Sequence, residues 1–159
     1  MDTTLHLLCG KMASGKSTLA ISLAKNNNAI LIIEDEWLRK LYPDEVHTID
    51  DYQKYSTRIK NIISLHVTEL LNKGISVVLD FPGNTINQRK WLRSLFEGCD
   101  CLHILHYVEA SNETCKRQLK KRNETYPDQT AFTSDEEFDM INKYFQPPSE
   151  DEGLKIIRH

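Results

Sequence analysis

The chain has 159 residues, 40% apolar and 27% charged, with a net charge of −3 and an isoelectric point near 6.1. That balance suits one globular domain over residues 1–159 that can bury a core without staples, and it excludes disordered and fibrous classes. There is no global basic footprint for nucleic acid or anionic lipid. The longest apolar runs are strand-sized rather than membrane-spanning, and the first residues lack the basic start and apolar stretch of a secretory signal. Four cysteines, Cys9, Cys99, Cys101 and Cys115, form no secreted disulfide framework, so a reduced, cytoplasmic setting is expected.

Leu5–Cys9 is a short apolar run ending in glycine, which predicts a buried strand. Lys16–Lys25 predicts a helix with Leu19, Ala20 and Leu23 on one side, ended by Asn26–Asn28. Ala29–Ile33 is a second strand closed by Glu34 and Asp35, and Glu36–Tyr42 a short helix stopped by Pro43. Tyr52, Tyr55, Ile59, Ile62, Ile63, Leu70 and Leu71 recur at near-helical spacing, which predicts one long helix over Asp51–Leu71 that ends at Gly74. Ile75–Leu79 is a third strand, Asp80–Gly83 a turn, Gln88–Phe96 a helix and Leu102–Val108 a fourth strand. Ser111 caps a helix over Asn112–Arg122, and Asn123–Thr133 is a polar loop. Ser134–Glu137 is a capping box before a helix with Phe138, Ile141, Tyr144 and Phe145 on one face, halted by Pro147 and Pro148. Leu154–Ile157 is a last strand. Strands alternating with helices imply an α/β fold whose parallel sheet is covered on both faces.

Gly10–Ser17 reads G-K-M-A-S-G-K-S and matches G-x-x-x-x-G-K-[ST]. The pattern should arise by chance in such a chain on the order of once in two hundred, and a strand before it with a helix after it make coincidence rarer still. Its glycines let the loop bend so that backbone N–H groups converge on phosphate oxygens at a helix N-terminus. Gly10, Lys11, Ala13, Ser14, Gly15, Lys16, Ser17 and Thr18 are the candidate nucleotide-binding residues. Lys16 would reach the β- and γ-phosphates, and the Ser17 hydroxyl would ligate Mg²⁺.

On these residues the chain resembles the small P-loop kinases, particularly the AAA_33-like ATP-binding proteins near polynucleotide kinase, chloramphenicol phosphotransferase and the zeta-toxin group. The likeness covers nearly the whole chain. It rests on Gly10–Ser17, on Asp35 after the second strand, on Asp80–Asn84 with Arg89 after the third, and on Arg117 with Arg122 before a loop. It implies a P-loop NTPase fold, three layers α/β/α with a five-stranded parallel sheet in order 2-3-1-4-5, and a short lid over about residues 117–134.

Asp35 sits at the carboxyl end of a predicted strand, the edge where open α/β sheets bind ligands. It could take the proton of an attacking hydroxyl, as the general base of similar kinases does at this position, or cap the helix that follows. Glu34 is a substitute base. Asp80 could orient Ser17 or a magnesium-bound water, or form the turn before Pro82. Asn84, Thr85 and Arg89 resemble substrate contacts of the polynucleotide-kinase-like group, with turn and helix-surface chemistry as the alternative. Arg117 and Arg122 could clamp the transferred phosphoryl group. Their five-residue spacing does not put both on one helical face, and a solvated basic face is the other option. Arg39, one turn after Asp35, could touch substrate or water.

Other signals weigh less. Cys99, Cys101 and His103 lack a second ligand pair for zinc, and His103 and His106 should point to opposite faces of a strand. Cys9 and Cys115 read as buried apolar residues, and Tyr144 and Phe145 as core. Residues 34–51 hold Glu34, Asp35, Glu36, Asp44, Glu45, Asp50 and Asp51 against only Arg39 and Lys40. A pocket there would repel a phosphate-rich polymer end and suit a neutral or cationic alcohol. The expectation is therefore an ATP- and Mg²⁺-dependent kinase of a small-molecule hydroxyl, a monomer or homodimer with no membrane partner and with nucleic acid disfavoured. The alternatives are a polynucleotide or nucleotide kinase, an ATPase or switch that phosphorylates no acceptor, and a toxin kinase of the zeta kind. No Asn-Lys-x-Asp guanine-reading motif occurs.

Overall fold

A computed structural model describes residues 2–127 and 134–159; the first part of the expected lid, residues 117–125, is helical, including the start of the expected polar loop, and its later part, residues 128–133, lies outside the described residues. Five strands, β1 (Thr4–Cys9), β2 (Ile30–Ile33), β3 (Val77–Asp80), β4 (Leu102–Tyr107) and β5 (Ile156–Arg158), form one sheet in the order β2-β3-β1-β4-β5. Every pairing is parallel. The strand order, the parallel sense and the three layers are those the resemblance implied. Helices α1 (Lys16–Asn26), α2 (Glu34–Leu41), α3 (Ile49–Asn72), α4 (Ile86–Ser94), α5 (Asn112–Thr125) and α6 (Asp135–Asn142) supply the covering layers.

The two faces of the sheet are packed unequally. Helix α3 lays Tyr55, Ile59, Ile63, Val67 and Leu71, spaced four apart, on Leu5, Leu7, Val77 and Leu79, with Leu92 of α4 beside them. Each such aliphatic side chain, once buried, contributes about 1.5–3 kcal/mol. The opposite face has a smaller core of Leu8, Ala20 and Val78 under α1, and a satellite of Cys115, Leu119 and Phe138 between α5 and α6. Cys9 and Cys115 are both fully buried.

Several element ends differ from the sequence-based expectation, and each has a local cause. Helix α2 begins at Glu34, not Glu36, because β2 runs straight into it with Ile33 as the extended N-cap; Asp35 is therefore inside the first turn rather than a cap. Helix α3 starts at Ile49, where Thr48 and Asp51 form a reciprocal capping box. Thr85 and Gln88 do the same for α4, which makes Thr85 a cap. Helix α6 ends at Asn142, before the two aromatics assigned to its face. Phe145 still packs on the core and stacks with Tyr107, but Tyr144 is 65% exposed and is not a core residue.

Candidate active site

The site lies at the carboxyl edge of β1 and β3. Strand β1 delivers the chain into Gly10, where an added Cβ would lie 2.7 Å from Ser14 Oγ and 2.8 Å from the Val108 carbonyl, so only glycine fits. Ala13 (φ 59°) and Gly15 (φ 104°) are left-handed, and Gly15 is the N-cap of α1. A non-glycine residue in that conformation carries a cost of roughly 1–2 kcal/mol. The alternating turn makes a nest of backbone N–H groups suited to an anion.

Lys16, partly buried, folds its ammonium back over this loop and donates to the carbonyls of Gly10 and Lys11. Burial pulls its pKa down, with the Asp80 carboxylate opposing. Ser17 Oγ donates to Asp80 Oδ2 at 2.8 Å. Burial pushes the Asp80 carboxyl up, and the Ser17 hydrogen bond and Lys16 hold it back. A hydroxyl and a carboxylate that share one edge are hard oxygen donors, and a cation that otherwise keeps water and phosphate ligands fits them. No group of three or more His, Cys, Asp or Glu side chains able to hold a metal occurs among the described residues.

Asp35 is exposed on the first turn of α2, and its charge acts on Lys16, Asp80 and Arg122. Arg122 comes from the last turn of α5. It is half-buried, and its Nε has no partner among the described residues. Burial lowers its pKa against the opposing field of Asp35. Arg117 is exposed and, among the described residues, reaches Thr114 at 3.4 Å. The five-residue spacing thus separates the two arginines, and Arg122 is the one that feels the Asp35 carboxylate. Lys11 donates to Asn112 Oδ1 at 2.9 Å, Thr18 is exposed on α1, and Arg39 is exposed on α2.

Three expectations need correction. Glu34 cannot stand in as the base: it is 1% exposed, its carboxylate accepts from the Tyr52 and Ser56 hydroxyls, and burial raises its pKa. Arg89 does not reach the cleft, because it is 1% exposed and paired with Glu152 at 2.8 Å. The acidic segment is less of an electrostatic wall than its composition suggests. Glu34 is internal, Glu36 pairs with Lys40 at 2.6 Å, and Asp51 accepts from the His47 and Thr48 amides, leaving Asp35, Asp44, Glu45 and Asp50 facing water. Asn84 is at the site, but its Oδ1 accepts from the Gly10 amide at 2.9 Å.

One polar group escaped the sequence. His6, His106 and His159 form a line of ring-to-ring hydrogen bonds of 3.0 and 2.9 Å across β1, β4 and the end of β5. They are 100 and 53 residues apart along the chain, so only strand order brings them together. His103 points to the other face and stacks on Phe96.

A glycine-bordered nest between a parallel strand and a helix, backed by the Ser17–Asp80 pair, defines a P-loop fold. The AAA_33 family profile, described as an AAA domain, matches residues 5–148, and the chain belongs to that family. A Chloroflexus aurantiacus protein provisionally classed as a kinase is similar over 99% of this chain and 88% of its own, with a TM-score of 0.76 at 15% identity. A sugar kinase from Janibacter sp. is similar over 99% and 84%, with a TM-score of 0.66 at 15% identity. Kti12 from Chaetomium thermophilum, in complex with ADP-AlF3, is similar over 97% and 88%, with a TM-score of 0.68 at 16% identity. No curated protein sequence matches. Among the described residues no helix is long and apolar enough to cross a membrane.

Proposed function

We propose that this chain is an ATP- and Mg²⁺-dependent kinase that transfers the γ-phosphoryl group to a hydroxyl of a small molecule. The observation that carries the proposal is the Ser17–Asp80 hydrogen bond beneath the Gly10–Ser17 nest, with the Asp35 charge acting on both Lys16 and Arg122. Family membership and the likeness to a sugar kinase support it.

In this reading the loop amides and Lys16 hold the β- and γ-phosphates, the ammonium exchanging its loop carbonyls for phosphate oxygens. Ser17 and Asp80 hold Mg²⁺, which neutralises phosphate charge when bound. Asp35 orients the acceptor hydroxyl and takes its proton as the oxygen attacks the γ-phosphorus. Arg122 faces the charge that builds on the transferred group, and its partial burial strengthens that contact. Arg117 serves solvent or the nucleotide's outer edge. Asp44, Glu45 and Asp50 face water near α2 and disfavour a polyanionic acceptor, so a neutral or cationic alcohol is the substrate class.

The test is phosphoryl transfer from labelled ATP with Mg²⁺ to an aminoglycoside, a neutral sugar and a 5′-hydroxyl oligonucleotide. Label should appear on one of the small molecules; label on the oligonucleotide alone overturns the substrate class. A second reading, nucleotide hydrolysis without an acceptor, draws on the likeness to Kti12 with ADP-AlF3. ATP consumption unaffected by every acceptor would favour it.

A further inference from the structure

The loop after β3 lies unusually close to β1. A Cβ added to Gly83 would stand 2.5 Å from the Leu8 carbonyl oxygen and 3.1 Å from Leu92. That approach brings the Asn84 side chain to the first amide of the phosphate nest, 2.9 Å from Gly10 N. The Asn84 backbone is tied on both sides: its N–H donates to Gln88 Oε1 at 2.8 Å, and its carbonyl accepts from the Gln146 N–H at 2.8 Å. Gln146 also accepts from the Ile86 amide at 2.9 Å.

Arg89 joins the same parts from inside. Its Nη1 donates to the Gly83 carbonyl at 2.9 Å and its Nη2 to the Pro147 carbonyl at 3.4 Å, while Nε reaches both Glu152 oxygens at 2.8 and 3.1 Å. One planar guanidinium thus spans the loop and two points of the segment 146–152. Apolar side chains could fill this space with no charge to desolvate. What they would lack is a directional hold on the Gly83 carbonyl, one residue before the side chain that grips Gly10.

We propose that Asn84 and Arg89 are positioning residues that set the entry of the phosphate cradle, and that the segment 146–152 is the strut that holds them. The purpose of the device rests on the nucleotide-binding reading above, but its geometry does not.

The test is amide hydrogen exchange on the nucleotide-free full chain, paired with ATP affinity in Mg²⁺ and melting temperature. Asn84→Ala removes the acceptor for the Gly10 amide while the loop backbone keeps its ties. Exchange should quicken within residues 10–17 and not elsewhere, ATP should bind about tenfold more weakly, and melting should barely move. Arg89→Lys keeps a charge opposite Glu152 but loses the fork, and should quicken exchange in both 83–86 and 10–17. If that variant does not fold, Asn84→Ala decides alone. Unchanged cradle exchange in folded Asn84→Ala overturns the proposal. So does an increase spread over the whole chain with a matching drop in melting temperature, which marks a merely structural role. If the native chain binds no nucleotide, the kinase reading fails, and the exchange result still decides the positioning.

Discussion

Two sets of buried polar groups are built differently. In the scaffold set, Arg89 is shared among Glu152, Gly83 and Pro147, and, separately, Glu34 is bonded by both Tyr52 and Ser56. In the cleft set, Lys16 leans on carbonyls of its own loop, and Ser14 Oγ and Arg122 Nε have no protein partner among the described residues. Buried polar groups are normally satisfied. Ser14 and Arg122 thus keep hydrogen-bonding capacity that a ligand could use, while Arg89 and Glu34 have theirs committed within the protein. Sequence alone does not make that distinction, since Arg89 and Arg122 are equally plain arginines in it.

Substitutions on each side of the comparison should have different signatures. The largest effect is expected at Lys16: Lys16→Ala should take phosphoryl transfer below detection and weaken ATP binding in calorimetry, with melting nearly unchanged. Asp35→Asn should keep ATP affinity while turnover falls by about 10²–10³-fold; full turnover in that variant removes the base assignment. On the scaffold side, Arg89→Met strands the Glu152 carboxylate and should cost about 3–5 kcal/mol. For a chain of this size that is a drop on the order of 10 °C in melting temperature.

The smallest and most conditional effect concerns pH. Burial, and then the neighbouring His6 and His159, push the His106 pKa down to about 4. A histidine with a folded pKa below its unfolded value of about 6.5 binds fewer protons when folded. Its contribution is therefore intact above about pH 6.5 and is lost as pH falls toward 4, on the order of 3 kcal/mol in all. Thermal melts across that window should show the decline, and His106→Gln should flatten it. An unchanged slope in that variant would assign the decline to other groups.

Much of the frame could be read before any coordinates. Alternating β-branched runs and helical stripes placed all five strands, because periodicity is a local property of the chain. The Gly10–Ser17 motif could be recognised for the same reason: its chemistry is held in eight consecutive residues. Element ends were less legible. Thr48 and Thr85 each begin a capping box, but a cap competes with turn geometry in the sequence and is decided only when the backbone bends. Tyr144 shows the reverse error, where helical spacing continued past the point at which the helix stopped.

By itself the sequence determined the α/β class, the phosphate nest with Lys16 and Ser17, and the presence of acidic and basic residues at the ends of the right elements. The tertiary structure alone decided which of those charges face the cleft. It turned Asp35 outward and Glu34 inward, half-buried Arg122 while leaving Arg117 exposed, made Arg89 a brace, and aligned histidines from β1, β4 and the residue after β5. The reason is that a side chain's role depends on what is packed against it. Partners such as Glu152 for Arg89, 63 residues away, or His6 for His106, 100 away, become neighbours only through the order of strands in the sheet.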